Sequence, residues 1–126
     1  MTAPASRVLV VEDEPLIRLG VAAMLEDAGL EVVEATNADQ AVVRLEADSS
    51  IRLVLTDVDM PGSMDGIRLA HYVSRRWPPV RIIVISGKVS PKSGDLPPDA
   101  RFLSKPYEEP VLLGAIGEMI GHADRG

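Results

Sequence analysis

Val8-Leu9-Val10-Val11-Glu12-Asp13 (residues 8–13) is a run of four apolar residues stopped by two acids, and Leu53-Val54-Leu55-Thr56-Asp57 (residues 53–57) repeats the plan with one acid. Such runs are too short for a helix with a buried face. Their lack of apolar and polar alternation marks strands covered on both faces, as in a parallel sheet between two helix layers. In an open parallel sheet the carboxyl ends of neighbouring strands meet at one crevice. Glu12, Asp13 and Asp57 therefore converge, and Lys105, after a later short run, brings an ammonium group close by. Three carboxylates in one crevice repel each other unless a hard cation fills the space. Oxygen ligands of this kind suit Mg²⁺, which takes one or two carboxylates, waters and usually a phosphate. The simplest chemistry for the crevice is metal-assisted phosphoryl transfer.

Outward from these two runs, short apolar segments alternate with stretches of helical period, the signal of a parallel α/β sheet. Strands are expected near Arg7 to Val11, Glu31 to Ala35, Leu53 to Thr56, Arg81 to Ser86 and Arg101 to Leu103. Between them Ile17, Val21, Met24, Leu25 and Ala28 form one helical face after Pro15, with Gly29 as the stop. Ala38, Ala41, Val42 and Leu45 form a second, opened by Asn37 and Gln40 at capping-box spacing. Leu69, Ala70, Val73 and Trp77 form a third, ended by Pro78-Pro79, and Leu112, Ala115, Ile116, Met119 and Ile120 a last one after Pro110. Lys88 to Ala100, KVSPKSGDLPPDA, carries three prolines and a glycine, and no stripe of period 3.6 runs through it. A loop with at most one or two helical turns is expected there, where the alternation calls for a helix.

Composition bounds the function. A chain of 126 residues makes one domain, and 46% apolar with 25% charged residues is a globular balance. Thirteen basic against nineteen acidic residues, a net charge of -6, argue against a nucleic-acid backbone as partner. No apolar run reaches the roughly 20 residues that span a bilayer, so no membrane association is expected. Without cysteine there is no disulfide, thiolate metal site or thiol nucleophile, and the start of the chain has no signal-peptide pattern, so a cytoplasmic location is expected.

Four motifs then fall in order at successive strand ends: Val11-Glu12-Asp13-Glu14-Pro15; Thr56-Asp57-Val58-Asp59-Met60-Pro61 with Met64-Asp65-Gly66; Ile85-Ser86-Gly87; and Leu103-Ser104-Lys105-Pro106-Tyr107. Together they resemble the receiver domain of two-component response regulators over nearly the whole chain. The resemblance implies a flavodoxin-like, doubly wound five-stranded parallel sheet of order 2-1-3-4-5, here with a short or irregular fourth helix. It implies residues 7–121 as the receiver domain, with 1–6 and 122–126 as tails. It implies that Asp57 accepts a phosphoryl group from a histidine kinase or a histidine phosphotransfer protein. Glu12 and Asp13 match the pair that holds Mg²⁺, with Asp57 and the backbone carbonyl of Asp59 as further ligands. Ser86 matches the hydroxyl that bonds the phosphoryl group, Lys105 the site lysine, Phe102 the aromatic switch, and Lys105-Pro106 a cis bond.

The chemistry agrees with these roles. A carboxylate is a poor nucleophile toward another anion, so charge must be neutralised and an in-line attack oriented. Lys105 supplies a point charge and Ser86 a hydroxyl donor for phosphate oxygens. Phosphorylation adds about -1.5 to -2 charge in the usual cases, enough to draw Ser86 toward the site and let Phe102 rotate into the vacated space. Asp59 and Lys88, two residues beyond Asp57 and Ser86, could pair across the entrance. Read singly, Asp13 is equally a helix cap, Lys105 a solvated lysine, and His71 and His122 surface or packing residues.

The chain departs from the usual receiver at four places, the most serious being the proline-rich segment after Ser86 where the fourth helix is expected. The run Met60 to Gly66 is one residue longer, Ser86 replaces threonine, and Phe102 lacks the phenol of tyrosine. Neither a flavin-binding module nor a haloacid-dehalogenase-type phosphatase fits as well. The first needs a hydroxyl- and amide-rich loop where Glu12-Asp13-Glu14 stands, and the second needs its DxD after the first strand. The expected function is a stand-alone phosphoryl-accepting switch that also hydrolyses its own acyl phosphate slowly. The alternatives are a receiver excised from a hybrid kinase or longer regulator, or a degenerate receiver acting only by contact.

Overall fold

The computed structural model describes residues 6–88 and 95–121. Strands β1 (Arg7–Val11), β2 (Glu31–Ala35), β3 (Ile51–Asp57), β4 (Arg81–Ser86) and β5 (Arg101–Ser104) alternate with helices α1 (Pro15–Asp27), α2 (Ala38–Ala47) and α3 (Gly66–Arg76), and α4 (Glu109–Ile116) closes the domain, running into a π turn over Gly117–Gly121. The strands form one parallel sheet of order β2-β1-β3-β4-β5. This is the doubly wound order that the resemblance implies.

The period of two explains the sheet's burial. Leu9, Val11, Val54 and Val84 face α2 and α3, while Val8, Val10, Leu53, Leu55, Ile83 and Ile85 face α1 and α4, so every central strand is apolar on both sides. β3 is longer than its apolar run because Ile51 joins the ladder before it and Asp57, opposite Ile85, after it. The β1 and β3 register shifts between Arg7 and Val8, which leaves Arg52 unpaired and exposed.

Helix ends follow local chemistry. Pro15 opens α1, and Gly29, at φ +91, closes it: Gly29 N–H donates to Glu26 O at 2.9 Å and Leu30 N–H to Leu25 O at 3.1 Å, the Schellman pattern. Asn37 Oδ1 accepts from Gln40 N–H at 2.8 Å, but Gln40 reaches back to Thr36 N–H at 2.9 Å, one residue beyond the reciprocal bond of a capping box. Asp65 caps α3 by accepting from Arg68 N–H at 2.9 Å.

The expected face of α1 holds for Val21, Met24 and Leu25, which pack against the core, and needs correction at Ile17 and Ala28, which are exposed. Ala22 and Leu25 are its buried residues, whereas Ile17 is 42% exposed, and Leu16 and Leu19 point outward at 84% and 53%. The segment is apolar almost all round, so its period does not single out a face.

The fourth helix is replaced by irregular chain among the described residues. Of the stretch expected to be a loop, residues 89–94 lie outside the described residues, and 95–100 form bends and a turn in which Ala100 N–H donates to Pro97 O at 3.0 Å. Leu96 and Ala100 pack on the α2 and α3 side of the core, and half-buried His71 of α3 donates from Nε2 to Asp95 O at 2.7 Å. His71 is thus a packing residue, and His122 lies outside the described residues.

At the opposite pole from the strand ends, Asp48 ties three segments. Its Oδ2 accepts from Arg7 Nη1 at 2.8 Å, and its Oδ1 accepts from the Ser50 amide at 2.9 Å and hydroxyl at 2.5 Å. The Ser50 hydroxyl, then Arg7 and the Ser50 amide, hold the Asp48 carboxyl down at about 2. A depressed carboxylate stabilises the fold above its ordinary value and loses that contribution as pH falls through the folded-state value. Asp48→Asn is therefore expected to destabilise by about 1 kcal/mol near neutral pH. The gap to the parent should close as pH falls from about 4 to about 2, as read by urea unfolding.

Candidate phosphorylation site

The carboxyl ends of β1, β3, β4 and β5 place Glu12, Asp57 and Lys105 around one hollow, whose lining does not include Asp13 or Asp59. Asp57 ends β3 with its side chain only 12% exposed, and its Oδ2 lies 3.2 Å from Lys105 Nζ. Lys105 follows β5 and is anchored by its own amide, which donates to Ser86 O at 2.9 Å; the Lys105–Pro106 bond is cis, as the resemblance implies. A cavity of about 30 Å³, room for a water-sized occupant, is lined by Glu12, Thr56, Asp57, Lys105 and Tyr107 with apolar neighbours from α1 and the sheet.

Glu12 is buried, at 5% exposure, and its Oε2 accepts from Glu14 N–H at 2.9 Å. Burial pushes its carboxyl up to about 7, and contact with Asp13 and the charge of Asp57 push the same way; the Glu14 amide and Lys105 oppose them. Lys105, which belongs to this acidic crowd, is already paired with Asp57. A carboxyl held up chiefly by burial, with carboxylate neighbours adding to the push, is an oxygen donor that a hard divalent cation can stabilise in its charged form. Among the described residues no three acidic or histidine side chains stand close enough to form a ready metal cage. Mg²⁺ does not require one, because it keeps several waters and takes only one or two carboxylates. Glu12, Asp13 and Asp57 therefore fit the group that the resemblance implies.

Ser86, at the end of β4, is wholly buried, and its Oγ accepts from Lys88 N–H at 3.2 Å. Phe102 of β5 stands beside Val84 and is half-buried against the α2 and α3 side of the core. Asp59 is exposed, and its N–H approaches Asp57 Oδ1 at 3.4 Å. The suggested entrance pair is not made: Lys88 is also exposed, and no ion pair among the described residues joins it to Asp59. An exposed pair contributes about 0 to 1 kcal/mol, too little to hold two long side chains in one geometry.

Two residues that support Asp57 carried no assigned role in the sequence. Thr56 Oγ1 donates to Asp57 O at 2.9 Å and approaches Met60 Sδ at 3.7 Å, tying the strand end to the following loop. Gly66, the first residue of α3, is buried directly on the Asp57 backbone and donates its N–H to Val58 O at 2.9 Å. A Cβ there would stand 2.8 Å from Asp57 C and 2.9 Å from Val58 Cα, and would overlap the Asp57 carbonyl oxygen. The glycine inside the motif was visible, but a close backbone approach has no sequence signature of its own. In the loop with the extra residue, Gly62 takes φ +110 and Ser63 Oγ donates to Asp39 Oδ1 of α2 at 2.7 Å.

Comparison with known proteins agrees with this geometry. The family model of the response regulator receiver domain matches residues 8–117. The response regulator receiver protein CpdR of Brucella abortus (strain 2308) is 36% identical over 118 residues, which cover 90% of this chain and 96% of CpdR. The sensor kinase CckA of the same organism is 32% identical over 124 residues, 95% of this chain but only 13% of that protein. Among solved structures, a response regulator receiver protein from Sinorhizobium medicae WSM419 superposes with a TM-score of 0.86 at 26% identity, covering 94% of this chain and 96% of the other. The chain belongs to the response regulator receiver domain family.

Proposed function

We propose that this chain is a phosphoryl-accepting switch of a two-component system or phosphorelay, phosphorylated on Asp57 with Mg²⁺ held by Glu12, Asp13, Asp57 and the carbonyl of Asp59. The observation that carries the reading is the nearly buried Asp57 carboxylate in contact with Lys105 beside the buried Glu12. Asp57 attacks phosphorus in line as the bond from phosphorus to the donor's imidazole nitrogen breaks; a phosphorus–oxygen bond forms, and the imidazole leaves. Mg²⁺ neutralises phosphate charge and orients the transfer when bound. Lys105 balances the remaining charge, and the Ser86 hydroxyl donates to a phosphoryl oxygen once it turns from the Lys88 amide. Ser86 and Phe102 then couple the new charge to the β4 and β5 side of the domain. Slow attack by water on the acyl phosphate restores Asp57.

The partner is a histidine kinase or a histidine phosphotransfer protein. Exposed Leu16 and Leu19 on α1, next to the acidic turn, offer it apolar contact area. No nucleic acid takes part, and among the described residues no helix is long and apolar enough to cross a membrane. A cytoplasmic location accords with such a partner. The near-complete match to CpdR favours a single-domain protein with residues 7–121 as the receiver, and the match to a small part of CckA supports the alternative, a receiver within a hybrid kinase. Radiolabel transfer from a panel of phosphorylated histidine kinases tests the proposal. The parent chain should accept label from at least one donor and Asp57→Asn from none, whereas equal labelling of both would refute it.

Lys88 affects how long the phosphoryl group stays. Its exposed ammonium can screen the entrance against the hydrolytic water once phosphate has accumulated charge there. A contribution of about 1 kcal/mol or less limits the effect to under about tenfold in rate. Lys88→Ala is expected to speed phosphate loss from Asp57 within that limit at low salt with Mg²⁺ affinity unchanged. A rate equal to the parent's would remove the gate.

A further inference from the structure

Arg18 belongs to none of the four motifs, yet its bonds end at the acidic turn. It leaves the first turn of α1 with only 15% of its side chain exposed. Its Nη1 donates to the carbonyl oxygen of Glu12 at 3.0 Å, and its Nε donates to Glu34 Oε1 of β2 at 3.0 Å. Its own N–H donates to Glu14 O at 2.9 Å, so one residue joins the end of β1, the start of α1 and the edge strand. The turn has two other holds, Glu12 N–H to Ala35 O at 3.0 Å and Glu14 N–H to Glu12 Oε2 at 2.9 Å.

The guanidinium of Arg18 divides between one carboxylate and one neutral carbonyl. Glu34 takes the Nε edge of the planar fork, which leaves Nη1 for the Glu12 carbonyl. Lysine, a single point charge, does not serve both partners in this way. We propose that Arg18, held by Glu34, is a positioning residue of the metal site: it fixes the Glu12 carbonyl and thereby the direction from which the Glu12 and Asp13 carboxylates approach Mg²⁺. This rests on the reading of the turn as a Mg²⁺ site.

The test uses the full chain with Arg18→Met, Glu34→Gln, the double variant and Asp13→Asn. The readouts are Mg²⁺ titration calorimetry and, without metal, amide exchange over residues 12–14 and the urea midpoint. Arg18→Met should weaken Mg²⁺ binding about tenfold, at the low end for partners that orient metal ligands. It should also speed exchange at Asp13 and Glu14 in metal-free protein. Glu34→Gln should weaken binding in the same direction, and the double variant should bind no more weakly than Arg18→Met, because the two residues act as one device. A lowered midpoint with Mg²⁺ affinity and turn exchange unchanged would reduce Arg18 to a structural ion pair and overturn the proposal. If Arg18→Met does not fold, Glu34→Gln, on the more exposed partner, decides alone, and unchanged Mg²⁺ binding there also overturns it. Parent-like binding by Asp13→Asn would instead refute the metal-site reading beneath it.

Discussion

Gly66→Ala is expected to lower stability by about 3 kcal/mol and to abolish phosphorylation of the remaining folded protein. The added methyl meets backbone atoms of Asp57 and Val58, not the movable end of a side chain. Relief requires α3 to back away from β3, which breaks the bond from Gly66 N–H to Val58 O and tilts the Asp57 peptide that carries the nucleophile. In-line transfer tolerates such misplacement poorly, since a shift of about 1 Å costs about 100-fold. Gly62→Ala is the control. Its φ of +110 makes alanine strained there, but no atom stands within 4 Å of the new carbon, so labelling should survive a loss of about 1 to 2 kcal/mol. Urea unfolding and labelling with a small phosphodonor separate the two variants. Parent-like labelling of folded Gly66→Ala would show that the approach of α3 does not position Asp57.

Lys105→Met should move two measurements in opposite directions. The ammonium lies 3.2 Å from Asp57 and opposes the upward push on the Glu12 carboxyl. Its removal makes the hollow more negative, so Mg²⁺ should bind at least as tightly as in the parent. The phosphoryl group loses a charge-assisted contact of about 1.5 to 3 kcal/mol, so transfer to Asp57 should slow by about 10- to 100-fold. The methionine keeps the apolar stem that packs at 3.4 Å from the position of a Gly87 Cβ, so the fold should persist. Weakened Mg²⁺ binding with unchanged transfer would reverse the roles given to Lys105 and the carboxylates.

The sheet was legible because each central strand is a short apolar run, a pattern that burial on both faces requires and that few other elements produce. The nearness of Glu12 and Asp57 was legible for a related reason: they stop those runs, and a parallel sheet brings the stops together. The inner face of α1 was legible only in part: Val21, Met24 and Leu25 do pack on the core, but Leu16, Ile17, Leu19 and Ala22 are also apolar and only the strands they meet decide which are covered. Gly66 and Arg18 were invisible for another reason. Their work depends on distances between segments far apart in sequence, from α3 to Asp57 and from Glu34 through Arg18 to Glu12. The tight loop tie from Thr56 to Met60 is local but depends on a hydroxyl that also reads as an ordinary strand residue.

Residues 95–100 hold the described end of the β4 and β5 connection. In the described residues its second half is docked on α3 through Leu96 and the His71 bond, while Ser86 and Lys88 at its start are linked by a single hydrogen bond.

The most direct measurement is peptide mapping of the phosphorylation after incubation with a small phosphodonor, with and without Mg²⁺. The account predicts one modified residue, Asp57, labelled only with Mg²⁺ and lost in Asp57→Asn with the fold retained. Label on another residue, or Mg²⁺-independent label on Asp57, would contradict it.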